Sequence, residues 1–254
     1  MIHSLHPLIQ RFDSLPSTNT EAARQAMRGA PEGLCIVAGE QTAGRGRRER
    51  TWISPAGAGL YFSILLRPRL EARDWPRLTL MAALAVHDAL KEACALDCDI
   101  KWPNDVLANK RKLCGILAET IETETGRACI LGIGINLRDA AFPPELRDVA
   151  TSVGAATNRA PDTEAVLQAL VSQLVKHYAQ LNTLHGAREL LIEWAARSSY
   201  ATNKVVRVTL GDEIFEGTTR GLEPDGALRV ETKDGKIKII HAGDVTALRA
   251  NAIE

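Results

Sequence analysis

Apolar residues in this chain follow two rhythms, and the change from one to the other divides it. Up to about residue 202, short unbroken apolar runs alternate with stretches of helical spacing; beyond Asn203 the period is two. Residues 8–12 predict a strand that ends in a turn around Pro16. A helix over 21–28 follows, with Thr18 and Glu21 fitting a capping box and Gly29 ending it. The runs 34–38 and 59–66 predict buried strands. Asp74-Trp75-Pro76 opens a long helix that reaches about Ala95, with Leu78, Met81, Leu84, Ala85 and Leu90 on one face.

Further along, two short strands flank Asn109-Lys110 as a hairpin, and Pro103-Asn104-Asp105 breaks the first of them. Alternation there puts Lys112 and Cys114 on one face and Leu113 and Leu117 on the other. Residues 128–137 form a strand with glycines at alternate positions. After Phe142-Pro143-Pro144 comes a helix capped by Asp162 or Thr163, with Val166, Leu167, Leu170, Leu174 and Tyr178 inward, then a second over 187–197. Five short strands (205–210, 214–221, 227–232, 236–241 and 245–248) then predict a small barrel, so the expected domains are 1–202 and 203–254.

Composition narrows the class. With 254 residues, 45% hydrophobic, the chain can bury one good core and a second small one. Thirty-one basic groups balance 31 acidic ones, which argues against a dedicated nucleic-acid binder. The five cysteines form no C-x-x-C pair and are odd in number, so they predict reduced, buried thiols and not a disulfide framework or zinc site. No signal-peptide core and no run long enough for a membrane span is present, so the cytoplasm is the expected location.

Against that neutral background the segment Gly44-Arg45-Gly46-Arg47-Arg48-Glu49-Arg50 stands out. Four arginines in seven residues, spaced by glycine between two core strands, make a flexible anion binder, and the expected anion is a phosphate. A solvated charge run is the plainer alternative. Other segments carry similar pairs of readings. Ser17, Thr18 and Asn19 are either a helix cap or hydroxyls and amides facing a polar ligand. Lys112 is either an edge-strand lysine or a cation awaiting an anionic partner. Gly132 and Gly134 either take a packed helix or leave a bare face for a flat ligand. Neither G-x-G-x-x-G nor a P-loop occurs, so a Rossmann cofactor or P-loop nucleotide is not expected.

Taken together and in order, Ser17-Thr18-Asn19, Gln41 with the arginine loop, Trp52-x-Ser54-Pro55, Lys101-Trp102-Pro103-Asn104-Asp105, Lys112 with Gly115-Ile116-Leu117, Glu119, and Gly132-x-Gly134-x-Asn136 resemble the biotin protein ligases. Each block alone is unspecific; the ordered set is very specific. The resemblance spans essentially the whole chain and is to the short form, without the winged helix-turn-helix of members that also repress transcription. It implies an α+β fold: a mixed-sheet catalytic domain with packed helices, like class II aminoacyl-tRNA synthetases and biotin ligases, plus a C-terminal SH3-like β-barrel. It also implies an ATP-dependent, AMP-forming ligase. Biotin would be activated with Mg-ATP to biotinyl-5'-AMP and passed to a lysine of a biotin carboxyl carrier protein.

The same resemblance implies residue roles. Arg45, Arg47, Asp105 and Lys112 would be catalytic, Asp105 orienting or deprotonating the acceptor amine. Ser17, Thr18, Asn19, Gln41, Arg45, Gly46, Arg47, Lys112 and Gly115 would bind biotin. Arg47, Arg48, Trp52, Lys112 and Asn136 would bind ATP, with Asn136 at the adenine. No protein ligand for a metal, no nucleic-acid or membrane partner, and a monomer or homodimer are expected. The chain departs from the family in having Glu49 where glycine is usual, which could pair with a neighbouring arginine and alter how the loop orders. Two alternatives remain: a lipoate or octanoate ligase with the same adenylate chemistry, and a non-enzymatic nucleic-acid-binding module.

Overall fold

The computed structural model describes residues 5–139 and 142–248; the last six residues of the expected second domain, 249–254, lie outside them. The larger sheet has seven strands in the order β1-β2-β3-β7-β6-β5-β4. In chain order these are β1 (Leu8–Leu15), β2 (Leu34–Gln41), β3 (Gly59–Leu66), β4 (Asp99–Lys101), β5 (Asp105–Ala108), β6 (Arg111–Thr123) and β7 (Gly126–Asn136). The β1–β2 pair is parallel and every other pair antiparallel, so the sheet is mixed. The single parallel pair follows from the connection, since helix α1 (Thr18–Ala26) crosses over the sheet between β1 and β2.

Helices cover the two faces unequally. On one face α1 buries Ala22 and Ala26 against Leu34, Ile36, Leu65, Ala128 and Ile130. The other face carries the main core beneath α2 (Pro76–Cys94), with α4 (Thr163–Leu181) and α5 (Gly186–Ala196) packed outside it. Proline at the first position of α2 fixes a helical φ where no hydrogen bond is needed. Asp162 caps α4 by accepting from the amides of Glu164 and Ala165. A short α3 (Val153–Thr157) precedes it, capped by Ser152.

The second sheet has five antiparallel strands in the order β11-β10-β9-β8-β12. They are β8 (Thr202–Leu210), β9 (Glu213–Leu222), β10 (Leu228–Thr232), β11 (Ile237–Ile240) and β12 (Asp244–Ala247). Trp102 ties the sheets together: its ring is 2% exposed and its Nε1 donates to Gly226 O at 3.0 Å. Arg77 adds a bond to Pro224 O at 2.7 Å.

Three local expectations are corrected. The α1 helix begins at Thr18 with Ser17 as an extended N-cap that makes no side-chain cap bond, so no capping box forms. The hydroxyl of Thr18 is engaged elsewhere. The two hairpin strands are not both short, because β6 runs 13 residues and pairs along nearly its whole length with β7. Finally, Lys112 and Cys114 do not share a face. Leu107 pairs with Lys112 and Val106 with Cys114, so Leu113 is the extra residue of a bulge. The bulge sends Cys114 into the core with Leu113 and restores Lys112 to the face of Gly115 and Leu117.

Candidate functional site

Helix α1 is too short to cover the face on which it lies. On β7 that face presents Ala128, Ile130, Gly132, Gly134 and Asn136 in turn; the helix packs the first two, and its N-terminal Asn19 reaches Gly132. Beyond that point the sheet opens into a cavity of about 1250 Å³. Its walls are the N-terminus of α1, the arginine loop, the β4–β6 hairpins and the edge of the second sheet at Asp244. A cavity of this size exceeds one small acid and suits two joined ligands.

One end is polar and nearly dry. Ser17, Thr18 and Asn19 are 3–4% exposed. The Thr18 amide and hydroxyl both donate to Gln41 Oε1, at 2.9 and 3.2 Å, while Gln41 Nε2 donates to Ser54 Oγ at 2.8 Å. Ser63 Oγ lies 2.7 Å from Thr18 Oγ1 and 2.6 Å from Asn19 Oδ1. Asn19 Nδ2 then donates to Glu119 Oε2 at 2.7 Å, and Arg45 closes the chain on the same oxygen at 2.8 Å. Such a connected network fixes each amide orientation, which suits a ligand with both donors and acceptors. Ser63 and Glu119 are additions to the site residues expected from the sequence. Ser63 was detectable as the lone hydroxyl in the apolar run 59–66.

The other end is cationic. The loop folds as a tight hairpin: Gly46 N donates to Arg50 O at 2.7 Å, Trp52 N donates to Gly44 O at 2.9 Å, and Arg48 and Glu49 hold positive φ at its tip. Gly44 is required, since a Cβ there would meet Trp52 O at 2.3 Å. Arg47 turns inward, donating to Asn104 Oδ1 at 3.0 Å and Gly243 O at 3.4 Å. Burial lowers its pKa, and the charge of Asp244 pushes it back up. Lys112 Nζ is 2.6 Å from Asp105 Oδ1 and 5.5 Å from the Trp52 ring centre.

Two expectations shift here. Arg48 does not line the cavity; together with Arg50 it faces Asp244, at 3.4 and 2.5 Å. Glu49 pairs with none of the loop arginines, because Arg45 goes to Glu119 and Arg48 and Arg50 to Asp244. Its backbone is left-handed at φ 59, the conformation in which glycine is at ease. The glycine strand is not bare either: Asn19 fills the place of a Cβ at Gly132, and the Trp52 indole lies over Gly134 and against Gly115. Every other expected site residue lines the cavity, including Gly46 and Asn136, whose Nδ2 donates to Thr151 O at 3.0 Å.

The cysteines take no part. All five are free. Burial raises the thiols of Cys35, Cys98 and Cys129 to about 12, and those of Cys94 and Cys114 also upward, which leaves them inert at neutral pH.

Residues 11–136 match the biotin/lipoate A/B protein ligase family and residues 202–246 the biotin protein ligase C-terminal domain. The chain is 40% identical over 240 residues to the bifunctional ligase/repressor BirA of Bacillus subtilis, covering 92% of this chain and 72% of that one. It is 38% identical to the biotin–[acetyl-CoA-carboxylase] ligase of Paracoccus denitrificans, covering 90% of this chain and 96% of that one. Among solved structures, the biotin protein ligase of Aquifex aeolicus in complex with biotin and ATP superposes with a TM-score of 0.82 at 30% identity, covering 95% and 99% of the two chains.

Proposed function

The chain belongs to the biotin protein ligase family, and from that premise we propose how its own residues divide the work of making biotinyl-5'-AMP from biotin and ATP and passing biotin to a protein lysine. The observation that carries the reading is a cavity in which a dry hydrogen-bonding end, Thr18, Asn19 and Gln41 backed by the buried Ser63, meets a cationic end, Arg47 and Lys112.

The polar end suits the ureido ring of biotin, which needs both donors and acceptors in fixed places. Ser17, Thr18 and Gln41 would meet it, with Asn19, Gly46 and Gly115 bordering the pocket. The biotin carboxylate then points toward Arg45, Arg47 and Lys112. Its attack on the α-phosphorus drives one anion against another, so fixed positive charge is what the protein must supply. Arg47 and Lys112 supply it as the C–O–P link forms and pyrophosphate leaves. Trp52 and Asn136 flank the adenine side. Asp105 then receives the acceptor amine. Closure of the arginine loop over the mixed anhydride excludes water, which would otherwise hydrolyse it.

Magnesium enters only with the nucleotide. Phosphate oxygens and water would carry most of the ion's coordination, and its contribution when bound is to neutralise phosphate charge. We place the domain boundary at 202/203, the acceptor as a biotin carboxyl carrier protein and the setting as the cytoplasm, where ATP is supplied.

ATP–pyrophosphate exchange with biotin, lipoate and octanoate offered separately tests this reading. Exchange with biotin alone is expected. Exchange that prefers lipoate or octanoate would move the chain to the other branch of chemistry served by this fold.

A further inference from the structure

Asp105 has two cations and one task. Its Oδ1 is 2.6 Å from Lys112 Nζ and its Oδ2 is 3.6 Å from Lys101 Nζ, with the carboxylate side chain only 16% exposed. Lys112, however, is wanted by the phosphoryl group. It lines the cavity on the same sheet face as Gly115, and a Cβ on Gly115 would meet its Cε and Nζ at 3.2 and 3.3 Å. A phosphate brought into the cavity competes with the carboxylate for this ammonium, and the 2.6 Å contact to Oδ1 loosens as Lys112 turns to the new anion.

We propose that Lys112 is a gate on Asp105, and that Lys101 is the positioning residue that makes the gate usable. Before adenylation Lys112 occupies Oδ1, so no amine can dock there. Once the adenylate phosphate takes Lys112, Oδ1 is vacated toward the cavity. Left alone, Asp105 would then be a poorly solvated carboxylate beside a phosphate anion and would turn away. Lys101, on the adjacent strand across the Lys101–Asp105 pair, keeps Oδ2 engaged and leaves Oδ1 aimed at the acyl carbon. This inference rests on the adenylate reading above.

The acceptor ammonium gives one proton to Asp105 Oδ1. The freed nitrogen pair forms the C–N bond, the acyl C–O bond breaks with its electrons leaving on AMP, and the second N–H proton passes to solvent. As AMP departs Asp105 gives its proton to solvent and Lys112 returns to the ionised Oδ1, so the base is exposed only while adenylate is present.

The test separates the two half-reactions in the full-length protein. Lys101→Met and Lys101→Arg are compared with the parent for ATP–pyrophosphate exchange with biotin, and for single-turnover transfer from preformed adenylate to a biotin carrier domain. Transfer to hydroxylamine, a neutral amine that needs no Asp105, is measured alongside. In Lys101→Met the ratio of carrier transfer to exchange should fall at least tenfold, with the hydroxylamine ratio within threefold of the parent, and Lys101→Arg should restore the carrier ratio. Loss of transfer and exchange in parallel would overturn the assignment, as would a carrier ratio that does not move. Should Lys101→Met melt well below the parent, Lys101→Gln carries the same comparison. Absence of biotin-dependent exchange in the parent would instead strike the underlying reading.

Discussion

Two carboxylates in this protein each gather several basic side chains, and they do opposite things. Asp88, in α2, accepts from His87 Nδ1 and His177 Nε2, both at 2.9 Å, and lies 3.3 Å from Nε of Arg197, the residue that ends α5. That cluster joins α2, α4 and α5, and His177 is 1% exposed. Asp244, in β12, takes Arg48 and Arg50, whose side chains are 37% and 69% exposed. Both carboxylates face basic groups; what separates the clusters most is solvent. A buried group that loses its partner is stranded, whereas an exposed one finds water at once. The first cluster is therefore a weld and the second a latch that ligand binding can move.

The comparison breaks most sharply at Asp88. Burial alone would raise its pKa, but hydrogen bonds from His177 and His87 and the charge of Arg197 hold it well below the usual carboxylate range. Asp88→Asn should cost about 3–5 kcal/mol, because three cationic or donor groups lose their counter-charge. In a chain this size that is a fall in Tm of roughly 10 °C, measurable by calorimetry. The pH sign follows from linkage. A depressed folded pKa gives stability that is complete above the unfolded value, about 3.9, and lost as pH falls through the folded one. The parent should lose stability steeply below about pH 4, and the variant less steeply. Equal slopes would mean that Asp88 is not the group being titrated.

Next in size are the cations that face the cavity. Lys112→Ala removes a charge-assisted contact of about 1.5–3 kcal/mol and should slow biotin-dependent exchange tenfold or more. A parental exchange rate would remove Lys112 from the adenylation step. Arg47→Gly removes the inward-turned side chain that ties the loop to Asn104 and Gly243. It should still make adenylate but release it roughly tenfold faster, one charge-assisted contact of about 1.5 kcal/mol being lost. Biotinylation of bystander proteins, read by blotting a mixture, should rise. Unchanged or lower labelling would deny the loop its role as a lid.

Sequence reasoning reached most of this architecture because most of it is set by local pattern. The apolar runs of β2 and β3, the helical spacing of α2 and α4, and the turn residues between β8 and β12 each act on their own segment. What escaped depends on neighbours distant in the chain. The capping box at Thr18 and Glu21 was locally sound, but Gln41 and Ser63, 23 and 45 residues away, compete for the Thr18 hydroxyl. The face of Lys112 was misread because a bulge at Leu113 is imposed by pairing with β5. The two arginines of the latch look the same in sequence as Arg47, and only the position of Asp244 nearly 200 residues later separates them. At Asp88 the histidine from α4 is likewise invisible until the helices pack.

The smallest effect is expected where the comparison is subtlest, at Asp244 itself. Each exposed pair there contributes only about 0.2–1 kcal/mol. With two such pairs, Asp244→Asn should therefore leave Tm within about 5 °C, since the second sheet's own core of Val206, Val208, Leu228, Val230 and Val245 is untouched. The loop, by contrast, is held by little else at its tip, where Arg48 and Glu49 already carry positive φ. Releasing Arg48 and Arg50 should weaken biotin binding roughly two- to tenfold at low salt, because more of the free chain has the loop undocked. At 1 M salt, where the screening length shrinks to about 3 Å, parent and variant should converge. Calorimetric titration with biotin at both salt concentrations reads this directly. A deficit that persists at high salt would mean that Asp244 acts through packing of the β12 edge against Arg47, and the distinction between weld and latch would then lie in contact and not in charge.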